Sequence, residues 1–342
     1  DSMLNPQIFI ELDLSNKVEN NVRKIVCRRY IPEFERDANG TLTTNGNLVL
    51  KSNASGTASI GQIIGSITGN VTVERYIPAG NRSFRFLTPM VTTTNYIKNN
   101  WQEGVNNTSL LYVNNQNPNA NYGTHITGST TGLNGFDATL TGNPSFYQFD
   151  NITQNWNNGI ANTNAINLVA GNAYRLLIRG NRSYDLSNTL TTNTATILRA
   201  TGTLLTGNIT FGSSSSTPST LPILASNANE FSFIGNPYAS PIDWNTLSKS
   251  ELTNYYYYWD PTLGTQGAYA TLTIDGTTEG TRSIVESQVS KYIQPGQGFF
   301  VAAAGSGENQ TITFTKAMQT VTGADDFVAA KSSVTSYELV LD

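Results

Sequence analysis

An internal duplication constrains this chain more than any other feature, because matched blocks in the same order mean that one architecture is built twice. Phe84-Arg85-Phe86-Leu87-Thr88-Pro89 recurs, with one extra residue, as Phe231-Ser232-Phe233-Ile234-Gly235-Asn236-Pro237, and a tryptophan follows each, Trp101 and Trp244. Phe146-Tyr147-Gln148-Phe149-Asp150 recurs as Tyr256-Tyr257-Tyr258-Trp259-Asp260. Leu168-Val169-Ala170-Gly171-Asn172-Ala173-Tyr174-Arg175-Leu176 recurs as Ile293-Gln294-Pro295-Gly296-Gln297-Gly298-Phe299-Phe300-Val301. A fourth block, Asn208-Ile209-Thr210-Phe211, matches Thr311-Ile312-Thr313-Phe314. The blocks are strand-like and the intervals are rich in Asn, Gly, Thr and Ser, so the differences in length fall in loops. The two copies, 71–212 and 213–316, each read as a small antiparallel sandwich, jelly-roll-like, with long loops.

The flanks read differently. Residues 37–70 hold short strands, Gly40 to Thr44 and Leu48 to Lys51, around an Asn45-Gly46 turn signal. Period-2 alternation points Leu42, Leu48 and Leu50 inward. Ala58-Ser59-Ile60 and the stretch from Val71 to Ile77 continue the series, which suits a few rungs of a solenoid or one sheet of a sandwich. Residues 1–36, with alternating Ile8, Ile10, Leu12 and Leu14 before a basic stretch around Cys27, form an N-terminal segment of their own. Residues 317–342 read as a linker carrying Asp325-Asp326, followed by the start of a further domain, with Ser336 to Asp342 strand-like and cut through a longer protein. Helix is limited to short turns at Asp243 to Leu252 and near Tyr96 to Trp101. The expected class is therefore all-β: tandem antiparallel sandwiches preceded by short solenoid- or sandwich-like strands.

Composition narrows the setting. Only 13% of residues are charged, and the Asn, Thr, Ser and Gly that replace them suit strands and turns exposed outside cells. The net charge of −4, with no basic cluster beyond Arg23, Lys24, Arg28 and Arg29, argues against nucleic acid as a partner. A single cysteine, Cys27, makes no internal disulfide. No apolar run approaches the roughly 20 residues that span a bilayer, and Asp1 opens the sequence without a signal segment, as in a processed or truncated product.

Chemistry-bearing residues are sparse. The one histidine, His125, lies in an Asn- and Gly-rich stretch and reads as a loop residue, with no Gly-x-Ser-x-Gly elbow to accompany it. One His and one Cys far apart make no zinc site, so no catalytic and no metal-ligating residues are assigned. Structural calcium stays open as a cofactor, although there is no Asp-x-Asp-x-Asp loop. Asp150 and Asp260 are the carboxylates to test for glycoside hydrolysis, but their equivalent positions in the copies favour a shared turn-capping role. The run from Tyr255 to Trp259 places Tyr255, Tyr257 and Trp259 on one face and Tyr256 and Tyr258 on the other. One face is core; the other is either a saccharide platform or covered by a neighbouring loop or domain, and the covered reading is favoured.

Several blocks resemble those of large secreted cell-surface proteins of the Bacteroidetes, many exported by the type IX secretion system. The carrying motifs are Gly69-Asn70-Val71-Thr72-Val73-Glu74-Arg75-Tyr76-Ile77-Pro78, Phe233-Ile234-Gly235-Asn236-Pro237-Tyr238, Tyr258-Trp259-Asp260-Pro261 and Ile293-Gln294-Pro295-Gly296-Gln297-Gly298-Phe299-Phe300. The resemblance covers about residues 40 to 320. It implies a released or outer-surface location and a role in adhesion, gliding motility or polymer capture, with a sorting domain at the far C-terminus of the parent. The sequence expectation is thus a non-enzymatic extracellular segment, structural or adhesive, with surface polysaccharide or other cell-surface proteins as partners. The rival expectation is a carbohydrate-binding accessory region of a secreted hydrolase.

Overall fold

The computed structural model describes residues 41–54, 56–63, 66–111, 117–187, 192–274, 280–307 and 309–319, together with the backbone strands Ile8–Phe9, Val26–Cys27 and Tyr337–Leu341. Among them no helix reaches seven residues, and the fold is all-β with open sheets.

Each copy folds as a sandwich of two sheets, and the strands take the same places in both. In the first unit Thr196–Leu204 lies between Val91–Thr93 and Val71–Ile77, while Tyr174–Leu177 lies between Phe84–Leu87 and Phe146–Tyr147. In the second unit Thr311–Phe314 lies between Ser248–Ser250 and Ile209–Gly212, while Gly298–Ala303 lies between Phe231–Gly235 and Leu252–Asp260. Ala268–Thr273 and Thr281–Arg282 extend that last sheet. The long loops between matched blocks thus leave the strand order unchanged, because cross-strand pairing and inward alternation define each sandwich.

The fourth matched block does not close the first copy. Ile209–Gly212 pairs directly with Thr311–Phe314 and opens the second unit, in the place that Val71–Ile77 holds in the first. The boundary therefore falls between Leu204 and Ile209, ahead of the 212/213 division read from sequence. Ile209 and Phe211 are buried in the second core because their alternation matches that of Ile312 and Phe314 opposite.

Each unit has its own core, and the tryptophan after the first block anchors both. Trp101 packs on Phe146 (5.7 Å between ring centroids) and Tyr174 (6.1 Å). Trp244 packs on the equivalent Tyr256 (5.1 Å) and Phe299 (6.2 Å). Each sits by a single 3-10 turn, Ile97–Asn99 and Trp244–Thr246. Asp243 caps the second turn by accepting the Asn245 N–H at 2.9 Å. From Ser248 onward the chain is strand, so the helical turn expected to run to Leu252 stops short where its residues join two sheets.

The N-terminal strands settle the choice between solenoid and sandwich in an unexpected way. Thr41–Thr43 pairs in parallel with Ser66–Thr68, and Leu48–Leu50 in parallel with the start of Val71–Ile77. The segment makes one turn of a parallel coil whose second rung becomes the first sandwich strand. Asn45 and Gly46 both take left-handed φ (49° and 82°), yet they carry the chain from one sheet to another instead of closing a hairpin. Leu48 and Leu50 are buried and Leu42 packs on the same core. Tyr337–Leu341, expected to begin a following domain, pairs in parallel with Gly56–Ile63 of this chain. Ile8–Phe9 pairs with Val26–Cys27, whereas Ile10, Leu12, Leu14, Asp325 and Asp326 lie outside the described residues.

The two units dock reciprocally. Leu87 bridges to Gln297, and Ile234, the counterpart of Leu87, bridges to Asn172, the counterpart of Gln297. The Thr88 N–H donates to the Gly296 carbonyl (3.0 Å), and the equivalent Gly235 N–H donates to the Gly171 carbonyl (2.8 Å). Gly171 and Gly296 have φ of +86° and +78°, a conformation that glycine adopts without strain and that turns each carbonyl toward the other unit. Phe86 and its counterpart Phe233 meet across the seam at 4.7 Å, forming with Ala173 and Phe300 a third, smaller core between the sandwiches.

Candidate functional site

The seam opens onto a row of half-exposed rings. Tyr256 and Tyr258 are fully buried in the second core, while Tyr255, Tyr257 and Trp259 alternate to the other face and are half-buried. Trp259 packs on Tyr269 (5.0 Å) and on Phe86 of the first unit (6.2 Å), and its indole N–H donates to the Ser83 hydroxyl at 3.2 Å. Tyr257 is flanked by Tyr255 (5.5 Å) and Phe231 (5.2 Å). The rings that face outward most are Tyr269, 45% exposed, and Phe231, 37% exposed. The first unit thus meets this face at Trp259, while the rings flanking Tyr257 belong to its own unit, and the accessible aromatic surface includes two residues that the sequence did not single out.

Beside this row lies a cation. The Arg175 guanidinium sits 3.9 Å from the Phe84 ring centroid, 5.2 Å from Trp156 and 6.0 Å from Trp259, distances suited to cation–π attraction. Desolvation lowers its pKa. Arg179 follows just beyond the strand Tyr174–Leu177, whose pairing with Phe84–Leu87 is prolonged by the Ile178 N–H donating to the Ser83 carbonyl. Burial, followed by the like charge of Arg82, lowers Arg179 to about 10. No local basic run marks these positions. Setting the two copies side by side does mark them, since Arg82, Arg175 and Arg179 stand where the second copy has Asn229, Phe300 and Ala304.

The buried polar groups serve the fold. Asp137, fully buried, accepts from the Asn107 N–H (2.7 Å), the Ile126 N–H (3.0 Å), the Gln102 amide (3.2 Å) and, bidentately, Arg182 (2.7 and 3.0 Å). Burial alone would raise its carboxyl, but the adjoining His125 ring and Arg182 guanidinium outweigh this and hold it far below the usual carboxylate range. His125 lies in a loop, as expected, but fully buried, with Nδ1 3.3 Å from Asp137 and Nε2 3.0 Å from the Tyr184 carbonyl. Both ring nitrogens face structural acceptors, so neither is placed to activate a nucleophile.

Asp150 and Asp260 do cap equivalent turns. Asp150 is exposed and accepts from the Ile152 and Thr153 N–H groups (2.8 and 3.1 Å), which hold its carboxyl below its ordinary value. Asp260 is fully buried, accepting from the Thr262 N–H (2.8 Å) through one oxygen and from Ser287 and Gln288 (both 2.8 Å) through the other. One in solvent and one with both oxygens bonded inside its own unit, they do not share a water-filled cleft of the kind a glycosidase pair needs. Among the described residues no three His, Cys, Asp or Glu side chains gather as a metal site, and no helix is long and apolar enough to cross a membrane.

No curated protein and no solved structure matches the chain. One family model does, described as a domain of unknown function, DUF8693, over residues 103–338. That span takes in most of the first unit and all of the second, and covers well over half of the 342 residues: the chain belongs to the DUF8693 family.

Proposed function

We propose that this chain is a non-enzymatic segment of an extracellular surface protein, in which the paired sandwiches act as a structural or adhesive block. The observation that carries the reading is the reciprocal seam, in which strand bridges and edge-to-face rings fix two units in one orientation, as a structural or ligand-presenting element requires. The polar surface with few charges and the resemblance to secreted Bacteroidetes proteins support an outer-surface setting. The test is location: antibody should label the protein on intact cells of its source, and external protease should remove it. Detection only after lysis would overturn the proposal.

A second reading, saccharide binding, is favoured by one specific observation, the outward rings of Tyr269 and Phe231 beside half-buried Tyr257 and Trp259. Flat, exposed aromatic faces suit the C–H faces of sugar rings. Trp259 is a poor probe because it also holds the seam, so retention on insoluble polysaccharide should be compared between the native chain and Tyr269→Ala. Loss in the variant with an unchanged melting temperature supports this reading, and equal retention counts against it.

A further inference from the structure

We propose that the outer face of the first unit's sheet, around Arg175 and Arg179, binds an acidic saccharide, its carboxylate or sulfate groups pairing with these arginines and its rings lying against Phe84, Trp259 and Tyr269. This rests on the saccharide reading and names the ligand class.

The first support is an imbalance of charge. In a chain with 20 Lys and Arg among 342 residues, Arg175 stands on this sheet face and Arg179 follows just beyond the same strand, near enough to Arg82 for that like charge to lower its pKa. Among the described residues, the Arg175 side chain has no hydrogen-bond or ion-pair partner: its buried Nε is unsatisfied, and its neighbours are rings. A terminal nitrogen of Arg179 is likewise buried without a partner. The nearby carboxylate, Asp137, is already committed to Arg182 and His125.

The second support is the duplicate itself. Phe300 stands in the place of Arg175, is 5% exposed and stacks on Phe233 at 4.5 Å. The fold is therefore satisfied by an apolar ring here, and it needs no cation at the positions held by Asn229 and Ala304. A desolvated cation with open donors is unfavourable unless something pairs with it. A guanidinium whose face is covered by rings keeps its donors in plane, the geometry that takes a carboxylate or sulfate. Tyr269 and Trp259, held 5.0 Å apart by the second unit, supply an aromatic surface alongside. Nucleic acid fits less well, because phosphate backbones are gripped by many cationic contacts and this chain carries a net charge of −4.

The test is binding of the 342-residue chain to polygalacturonate, dextran sulfate, a neutral β-glucan and oligo(dT), for the native protein, Arg175→Phe, Arg179→Ala and Tyr269→Ala. Arg175→Phe writes in the duplicate's own residue and is expected to fold. The proposal expects salt-sensitive binding to polygalacturonate, dextran sulfate or both, weakened at least about tenfold by each arginine substitution, which is about 1.4 kcal/mol. Binding to polygalacturonate alone identifies a uronate, and binding to dextran sulfate alone a sulfated sugar. Retention on the neutral glucan only, unaffected by Arg175→Phe, overturns this proposal and leaves the saccharide reading standing. Binding to none of the polymers overturns both, and oligo(dT) binding as tight as that to the acidic polysaccharides overturns the assignment to a sugar.

Discussion

Replacing Asp137 by asparagine keeps the outline of the side chain while removing the charge on which Gln102, Asn107, His125, Ile126 and Arg182 converge. Arg182 is itself fully buried, so the variant takes the bidentate carboxylate away from a guanidinium inside the first unit, and breaking a buried pair of this kind costs about 3–5 kcal/mol. That is a large share of the roughly 5–15 kcal/mol that holds a domain folded. An amide also replaces one of the two acceptor oxygens by an NH2 group that then faces N–H donors, which adds to the loss. The expected outcome is a clear fall in the urea midpoint at pH 7 with little change in slope. The acid limb sharpens the test. Because the folded-state pKa of Asp137 is depressed, its stabilisation is complete above the unfolded value, about 3.9, and is lost as pH falls through the lower folded value. Native and variant chains should therefore converge as pH drops below about 4. A variant within about 0.5 kcal/mol of native at pH 7, or a gap that persists undiminished at the lowest pH at which both stay folded, refutes the reasoning.

Phe86→Ala removes a fully buried ring packed on Phe233 (4.7 Å) and Phe300 (5.6 Å), at about 3–5 kcal/mol. Calorimetry should show the two units melting separately, and a single unshifted transition would contradict the seam. Gly202→Ala would set a Cβ 2.0 Å from the Thr92 carbonyl oxygen. It should destabilise by about 1–3 kcal/mol and raise amide exchange along Val91–Thr93; unchanged exchange there would show that the edge strand can yield freely.

The sequence carried the all-β class and the doubling well, because aromatic blocks such as Phe84 to Leu87 and Phe231 to Gly235 recur with their alternation intact. It misplaced Ile209 to Phe211 because Thr-Ile-Thr-Phe and Asn-Ile-Thr-Phe look alike, and likeness of wording cannot separate a counterpart strand from a pairing partner. The aromatic run was legible in its alternation, since Tyr256 and Tyr258 are buried and their neighbours are not. What covers the outer side was not legible, because Phe86 and Ser83 reach Trp259 from more than 170 positions away. His125 read correctly as a loop residue, but its burial depends on Asp137 and Tyr184, which no local pattern ties to it.

Two identical chains meeting about a twofold axis must carry every seam residue twice, so a change that suits a ligand on one side is repeated on the other. Joining the copies in one chain lifts that constraint. Phe300 can keep the packing ring while Arg175, its equivalent, gives it up for a charge. Covalent fusion thus lets a symmetric junction specialise one half without unfastening the other.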